Sequence, residues 1–248
     1  MKNKKLKSVL SLTGYLLLVI ALCVSASIVF HNLYYELIYV SGGSMSPTLN
    51  NHLSEDNENT DKDGTLVDFG IVDTHKTAIN NVKRFSIVST YYYDDYDASG
   101  VLKANAKKKI KRIIAMPNET FKIEKGLLYV KEDNEYSLVP YTFKTSSNDP
   151  EYTGKDIETS IGEDEYWVLG DHRDKSRDSG TLLKPIKKDY ILGVLIAIEG
   201  QARLKIKRYI CDSCGKSFNG GNVCSSCGGY LSPEYDLVNK QFHWPKYY

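Results

Sequence analysis

Hydrophobic residues along this chain follow two patterns, one continuous and one alternating. The continuous run, SVLSLTGYLLLVIALCVSASIVF at residues 8–30, holds no charged residue and follows the basic tail 1–7. At about 1.5 Å per residue, a helix of this length spans the hydrocarbon core of a bilayer. A cleaved secretory signal is the alternative, because residues 25–27 are small, but the apolar stretch of such a signal usually has about 7–15 residues. The pattern therefore favours a retained transmembrane anchor.

Short alternating or β-branched runs follow the anchor, most of them bounded by Gly, Pro, Asn or Asp, as is typical of strands joined by turns. The predicted strands are TLVDFGIV, RFSIVSTYYY, KKIKRIIAM, TFKIEKGLLYV, EYWVLG and ILGVLIAI. No helical periodicity of comparable length follows, so we expect residues 31–204 to form a mainly antiparallel β domain, closed or sandwich-like. The polar, acidic segment 50–64 is predicted to be a surface loop.

Charge narrows the class of protein and sets an expected topology. The formal net charge is +1 and the sequence pI is about 7.6, so bulk electrostatics do not favour nucleic-acid binding. The lysines of the tail 1–7 favour a cytoplasmic N-terminus, which places the body outside the cytoplasm. Tyr34, Tyr35 and Tyr39 fit either a membrane surface or the beginning of a strand.

Three polar stretches carry groups suited to peptide-bond chemistry. In SGGSMSPTL, residues 41–49, glycines precede Ser44 and a proline follows it, which can present the hydroxyl on a rigid turn. In KKIKRIIAMP, residues 108–117, Lys111 adjoins an apolar run, and a buried lysine can act as a base. The third, GDHRDKSRDSG at residues 170–180, is a polar loop after a predicted strand. Taken alone, a flexible loop, an exposed strand edge and a charged turn explain these stretches as well or better.

In order and spacing, the three stretches together resemble the signature boxes of bacterial type I signal peptidases. SGGSMSPTL resembles the nucleophile box, whose serine before methionine attacks the substrate, and this serine is Ser44. KRIIAMPNET resembles the general-base box and implies Lys111 as the base. GDHRDKSRDS resembles the last box and implies Ser176 and Asp178 as residues that support the lysine. The resemblance covers roughly residues 2–198 and implies a signal peptidase I: a membrane serine endopeptidase with a Ser-Lys dyad and an acyl-enzyme.

The resemblance also implies substrates and an oxyanion donor. The substrates are secretory preproteins whose signal peptides have small residues at the −1 and −3 positions. Membrane lipid is the other implied partner, because the site would lie near the membrane. The backbone N–H of Ser44 is the implied oxyanion donor, since Gly42 offers no hydroxyl where many relatives have a serine. Neither a catalytic cofactor nor a nucleic-acid partner is expected.

Several positions depart from the family pattern. Ala115 stands where the family usually has Gly, and Asn118-Glu119 stand where it has Gly-Asp. Gly180 replaces a usual arginine, and His172 replaces a common asparagine. The segment RFSIV, residues 84–88, stands where Arg-Gly-Asp-Ile-Val is typical. None of these changes removes the nucleophile or the base, so they indicate a divergent member.

Four cysteines form two CxxC pairs in a predicted module at residues 205–232. They are Cys211, Cys214, Cys224 and Cys227. Glycines 215 and 228 follow the pairs, and the spacing is typical of a small zinc ribbon with four thiolates around Zn²⁺. Two disulfides are the alternative, because the segment should lie outside the cytoplasm. We expect structural zinc and a role in stability or in binding a protein partner, while the tail 233–248 has no interpretation.

Two other functions stay open. Self-cleaving repressors of the DNA-damage response also use a Ser-Lys dyad, but they are soluble and carry a DNA-binding segment, whereas this chain shows no helix-turn-helix pattern. A membrane-tethered β scaffold that displays a zinc ribbon is the non-enzymatic alternative. The combined presence of Ser44, Lys111, Ser176 and Asp178 disfavours the scaffold, which would not need all four.

Overall fold

The N-terminal part of the chain is one long helix. The structure, a computed structural model, describes residues 2–51, 64–103, 106–142, 156–221 and 223–248, so most of the predicted acidic loop 50–64 lies outside the described residues. Helix α1 spans Lys2–Tyr34, and its segment Leu12–Tyr34 has a mean hydropathy of 2.4 and is not buried by protein. That segment is long and apolar enough to cross a membrane. It forms a compact unit, Met1–Glu36, separate from the body at Leu37–Tyr248.

The body is built on one large, mostly antiparallel sheet. Its main strands lie side by side in the order β1-β2-β11-β3-β4-β9-β10. The described pairings among these strands are antiparallel. The strands are β1 (Tyr35–Tyr39), β2 (Thr65–Asp73), β3 (Ile87–Thr90), β4 (Lys109–Ala115), β9 (Glu165–Leu169), β10 (Ile186–Lys187) and β11 (Ile191–Cys211). Each run predicted to be a strand contains at least part of one, and Tyr35 and Tyr39 are the first and last residues of a strand. The run TFKIEKGLLYV contains parts of two strands of a second sheet.

A smaller sheet covers one part of the large one. It has the order β7-β6-β5-β8, formed by β5 (Thr120–Glu124), β6 (Leu127–Glu132), β7 (Glu135–Thr142) and β8 (Ile157–Ser160). Phe121 and Leu128 of this sheet share a buried cluster with Trp167 and Leu169 of β9. The two sheets are therefore joined by a common apolar layer, as in other β-rich domains. The prediction of a mainly β body after an apolar helix is confirmed.

Two short helices lie at turns of the body. Helix α2 spans Lys76–Asn80 and begins after His75, whose side chain accepts the backbone N–H of Thr77. Helix α3 spans Ser179–Leu182 and begins after Asp178, whose carboxylate accepts backbone N–H groups of the first turn. A carboxylate satisfies donors that a helix start leaves unpaired. This cap places Asp178 at the end of the polar loop 170–178.

The C-terminal part is a long two-stranded hairpin that the sequence reveals only in part. Strand β11 has 21 residues and continues beyond the predicted run to Cys211. After the short β12 (Ser217–Phe218), strand β13 (Leu231–Tyr247) pairs back along β11 with three register shifts. The tail without an interpretation is thus mostly strand. Its residues are largely exposed, so pairing with β11, rather than burial, specifies it. The strands run through positions 204 and 232, where the sequence suggested module boundaries.

Candidate active site

Ser44 and Lys111 meet although 67 positions separate them in the sequence. The Lys111 Nζ lies 2.7 Å from the Ser44 Oγ and also donates a hydrogen bond of 2.9 Å to the carbonyl of Ile110. Strand β4 supplies Lys111, which is only 4% exposed. A hydroxyl hydrogen-bonded to a buried amine is the arrangement that nucleophile activation requires.

The loop that carries Ser44 is fixed by burial on both sides of the serine. Val40 before the serine, and Met45 and Leu49 after it, are buried in one cluster with Val72 of β2. Their burial holds both ends of the short segment that contains Ser44, so the serine does not lie on a freely moving loop. The flexible-loop alternative for SGGSMSPTL therefore does not describe this segment.

Asn50 closes this loop, and the sequence analysis missed it. Its side-chain Nδ2 donates to the carbonyls of Val40 and Gly42, and its Oδ1 accepts the backbone N–H of Asp68 at 2.6 Å. The Asp68 carboxylate in turn accepts the Asn50 N–H at 2.6 Å. Asn50 has a φ of 53°, a region in which asparagine is one of the few tolerated side chains. An asparagine directly after the apolar Leu49 was the available signal, but its partners are distant in sequence.

Burial next to like charges makes Lys111 a weaker base than a free lysine. Burial, the largest cause, lowers the pKa of Lys111 from 10.5 to about 8, and the carboxylate of Asp178 opposes this shift. The positive charges of Lys109 and Arg173 lower the pKa further, and Asp171 raises it. A pKa near 8 leaves part of the Lys111 population neutral around neutral pH, which lets the amine accept a proton.

One ion pair and one backbone hydrogen bond hold the polar loop 170–178 beside Ser44 and Lys111. Arg112, the neighbour of Lys111 on β4, binds Asp171 through its Nε at 2.8 Å and its Nη2 at 2.5 Å. The backbone N–H of His172 then donates 3.0 Å to the Ser44 carbonyl. A bidentate arginine–carboxylate pair fixes both distance and orientation. Strand β4, the nucleophile loop and the loop 170–178 are therefore joined directly.

Ser176 and Asp178, the two expected supporting residues, have different surroundings. The Asp178 side chain is fully buried and accepts the Gly170 N–H at 2.8 Å, besides capping α3. The Ser176 hydroxyl is buried too, but among the described residues it makes no hydrogen bond, to Lys111 or to any other group. The structure thus gives Asp178 an ordering role in the loop, whereas an amine–Ser176 hydrogen bond stays a prediction.

The residues after β4 that differ from the family pattern lie in a turn that contacts Arg84. Glu119 forms an ion pair with Arg84, and its Oε2 accepts the Met116 N–H at 2.7 Å. Arg84 also donates to the Ile114 carbonyl at 2.8 Å. Asn118, with a φ of 63°, occupies the left-handed turn between them. The divergent residues therefore close a turn at the end of β4 and lie outside the Ser44–Lys111 pair.

The four cysteines of the C-terminal module lie together. Their sulfur atoms are all within 4.8 Å of one another, with Cys211 and Cys224 buried and Cys214 and Cys227 exposed. The closest described pairs are 3.4 and 3.7 Å apart, well beyond a disulfide bond of about 2.0 Å. Tetrahedral Zn–S bonds of about 2.3 Å place sulfurs about 3.8 Å apart. Four thiols this close could bind a metal ion.

Comparison with known proteins assigns the family. The family model described as "Signal peptidase, peptidase S26" matches residues 12–198, more than half of the chain. The chain belongs to this signal peptidase family. The resemblance seen in the sequence is confirmed, and the signal peptidase match includes Ser44, Lys111 and the loop 170–178. It ends before the cysteine module.

Named relatives are signal peptidases at low identity. Signal peptidase I P of Bacillus subtilis subsp. natto is 28% identical over 124 residues, which is 48% of this chain and 67% of the relative. Signal peptidase I U of Bacillus subtilis (strain 168) is 25% identical over 194 residues, 77% of this chain and 87% of the relative. A crystal structure of a signal peptidase I from Enterococcus faecalis V583 is 22% identical, covers 46% of this chain and 97% of its own, and gives a TM-score of 0.34.

Proposed function

We propose that this chain is a membrane-anchored signal peptidase I that removes signal peptides from secretory preproteins, with Ser44 as nucleophile and Lys111 as general base. The observation that carries the proposal is the 2.7 Å contact between the Ser44 Oγ and the buried Lys111 Nζ. Membership of the signal peptidase family supports the reaction class and the substrate.

The reaction needs one base used twice. Neutral Lys111 accepts the Ser44 proton while the Ser44 Oγ attacks the peptide carbonyl, and the protonated amine then donates to the leaving nitrogen. This breaks the peptide bond and leaves an ester between Ser44 and the signal peptide. Neutral Lys111 next takes a proton from water, and the hydroxide attacks the ester carbonyl. The ester C–O bond breaks to release the signal peptide, and the protonated amine returns its proton to the Ser44 Oγ, which restores both groups. Proton and charge balance at each step without a cofactor.

The oxyanion is stabilised by backbone alone in this proposal. The Ser44 N–H is the donor, and removing a donor of this kind costs about 3–4 kcal/mol of barrier in other serine proteases. Gly42 has no hydroxyl to add, although a Cβ there would meet no atom within 4 Å. The site therefore has room for a second donor at position 42 that this chain does not use.

The proposed topology follows from the helix and from the chemistry of the substrate. The helix segment Leu12–Tyr34 anchors the chain in a bacterial cell membrane, with the basic tail in the cytoplasm and the body outside. This keeps the catalytic body near the membrane, where the signal helix of a preprotein ends. Small residues at −1 and −3 remain the expected specificity.

The test is cleavage of a synthetic preprotein in detergent by the full chain. Wild type is expected to cut after a small residue, while Ser44→Ala and Lys111→Ala lose at least about 10³-fold in kcat. Lys122→Ala, at a lysine of the smaller sheet that pairs with Glu124, is the matched control and should keep wild-type activity. Equal inactivity of all four proteins on varied preproteins would overturn the proposal and favour the scaffold alternative.

We also propose that the four cysteines hold one structural zinc ion. Four thiolates leave no open coordination position, so the metal would stabilise the end of the β11–β13 hairpin rather than take part in cleavage. Elemental analysis of the purified chain should find one zinc per molecule, and Cys214→Ser should lower this content while Cys23→Ser does not. A metal-free protein whose mass under non-reducing conditions shows two disulfides would contradict the proposal.

A further inference from the structure

The carboxylate of Asp178 is surrounded by donors inside the protein. It accepts the Gly170 N–H at 2.8 Å, the Gly180 N–H at 3.0 Å and the Arg173 Nη1 at 2.7 Å. The side chains of Arg173 and Asp178 are 5% and 0% exposed. A charge pair this deeply buried is costly unless both members are well satisfied, so breaking it has large consequences.

Arg173 and Asp178 together hold both polar groups of Gly170. While Asp178 accepts the Gly170 N–H, the Arg173 Nη1 donates 3.0 Å to the Gly170 carbonyl. The backbone of Gly170 lies against the active site, because a Cβ there would overlap the Ser176 hydroxyl and the Ser44 carbonyl. The ion pair therefore determines where the chain passes behind Ser44.

Gly180 lies beside the same guanidinium. A Cβ on Gly180 would lie 3.1 Å from the Arg173 Nη2 and 3.3 Å from the Asp178 Oδ1. A large side chain at position 180 would compete with Arg173 for the space beside the carboxylate. The glycine at position 180 therefore leaves the space that the buried Arg173 guanidinium needs beside Asp178.

We propose that Arg173 is the positioning and charge-balancing residue of the Ser44–Lys111 site, acting through Asp178 and Gly170. It makes no described contact with either reacting atom, so its effect is indirect. The inference rests on the function proposed above and adds a residue to it.

The charge argument follows from the groups that act on Lys111. These groups are Lys109, Arg173, Asp171 and Asp178. Lys109 is paired with Asp95, Asp171 with Arg112, and Asp178 with Arg173. Without Arg173, the negative charge of Asp178 acts on Lys111 with less compensation and favours the protonated amine. The base then needs a higher pH to become neutral.

The experiment compares the pH dependence of kcat and KM for the full-length wild type, Arg173→Gln and Arg173→Lys on one preprotein. For Arg173→Gln we expect kcat to fall about 100-fold and the acidic limb of the kcat profile to move up by about one pH unit. Arg173→Lys keeps the positive charge but loses the planar guanidinium that contacts both Asp178 and Gly170. We therefore expect kcat to fall about tenfold, with the acidic limb at the wild-type pH. Arg177→Gln is the matched control, since this exposed arginine of the same loop pairs with Asp94.

Two double variants separate charge from geometry. Arg173→Gln with Asp178→Asn removes both charges, so the acidic limb should return toward the wild-type pH while kcat stays low. Arg173→Gln with Gly180→Arg brings a cation back to the space beside Asp178. This double variant should recover part of the lost kcat and part of the shift of the acidic limb. Circular dichroism melting shows which variants are folded. If Arg173→Gln is unfolded, the comparison of wild type with Arg173→Lys is the test.

The outcomes distinguish the two proposals. An active wild type beside an Arg173→Gln variant with kcat within twofold and an unmoved limb would overturn this inference and leave the proposed function intact. A large loss of kcat without a moved limb, unaltered by Asp178→Asn, would overturn the charge-balancing role. Inactivity of the wild type, equal to that of Ser44→Ala, would overturn the proposed function and this inference together.

Discussion

The Ser44–Lys111 site and the cysteine module reach order by opposite routes. The site draws its residues from three distant segments, around positions 44, 111 and 170–181, and buries them under apolar clusters. The module draws its four cysteines from one short segment, 211–227, and leaves two of them exposed. In the first region the whole fold supplies the geometry. In the second, neighbouring residues supply the ligands and a metal ion would supply the stability.

The difference has an energetic side. Holding Lys111 at a pKa of about 8 instead of 10.5 disfavours its charged form by about 3 kcal/mol. A domain with four buried clusters can carry such a cost. The module, whose buried side chains in the described part of 211–228 are mainly Cys211 and Cys224, has no comparable core. The comparison teaches that the Ser44–Lys111 pair is a costly buried arrangement within a large core, whereas in our proposal a metal ion stabilises the module.

The largest expected effect comes from replacing the buried base. Lys111→Met should lower kcat by about 10⁴-fold or more, since no other described side chain lies within hydrogen-bonding distance of the Ser44 hydroxyl. At pH 7 it should also stabilise the protein by roughly 2–3 kcal/mol, because an apolar side chain avoids the cost of burying the ammonium. Denaturant unfolding checks the second effect.

The pH dependence of that gain has a definite sign. Because the pKa of Lys111 is lower in the folded than in the unfolded protein, the unfolded state binds more protons between about 8 and 10.5. Wild-type stability should therefore rise with pH through this window, and the advantage of Lys111→Met should shrink. A variant less stable than wild type at pH 7 would show that Lys111 is not strained.

The next effect tests how tightly the site depends on the surrounding fold. Gly170→Ala should lower kcat by about 100-fold and destabilise the protein by about 1–3 kcal/mol, because its methyl group overlaps Ser44 and Ser176. Gly42→Ala is the matched control, since a Cβ at position 42 meets nothing within 4 Å. Similar kinetics for the two alanine variants would mean that the loop 170–178 does not position the nucleophile.

A smaller effect is the pH dependence of cleavage, which tests the lowered pKa of Lys111. Below a pH of about 8, kcat/KM should fall about tenfold per pH unit, because protonated Lys111 cannot accept the serine proton. His172 is buried beside the pair, with its backbone N–H on the Ser44 carbonyl, and His172→Asn should leave the limb where it is. A limb that disappears in that variant would assign the titration to histidine.

The smallest effect on cleavage is expected at the module. Cys214→Ser or a chelator should speed hydrogen exchange at the tip of the β11–β13 hairpin, residues 206–234, and change kcat/KM by less than about threefold. Hydrogen–deuterium exchange and preprotein cleavage on the same samples measure both. A large loss of activity would show that the two regions are coupled and would remove the contrast drawn above.

The apolar helix and most of the strands were predictable because they depend on local pattern. The pairing of Ser44 with Lys111 was predictable only through the resemblance to the signal peptidase boxes. An uninterrupted apolar run specifies a spanning helix, and alternation specifies strands such as β4. The CxxC pairs likewise indicate a four-sulfur cluster. Strands β7, β8, β10, β12 and β13 lie outside the predicted runs. Strand β13 is mostly exposed and owes its form to pairing with β11 rather than to its own pattern.

The tertiary structure alone decided the surroundings of Ser44 and Lys111. The sequence could place Lys111 on a strand, but only packing of β4 against its neighbours shows that its ammonium is buried. The Arg173–Asp178 pair, the open space at Gly42 and the loop-closing role of Asn50 likewise depend on distances between segments far apart in the chain. Local pattern determines which residues are available, whereas burial and charge pairing, which set a pKa, arise only when distant segments come together.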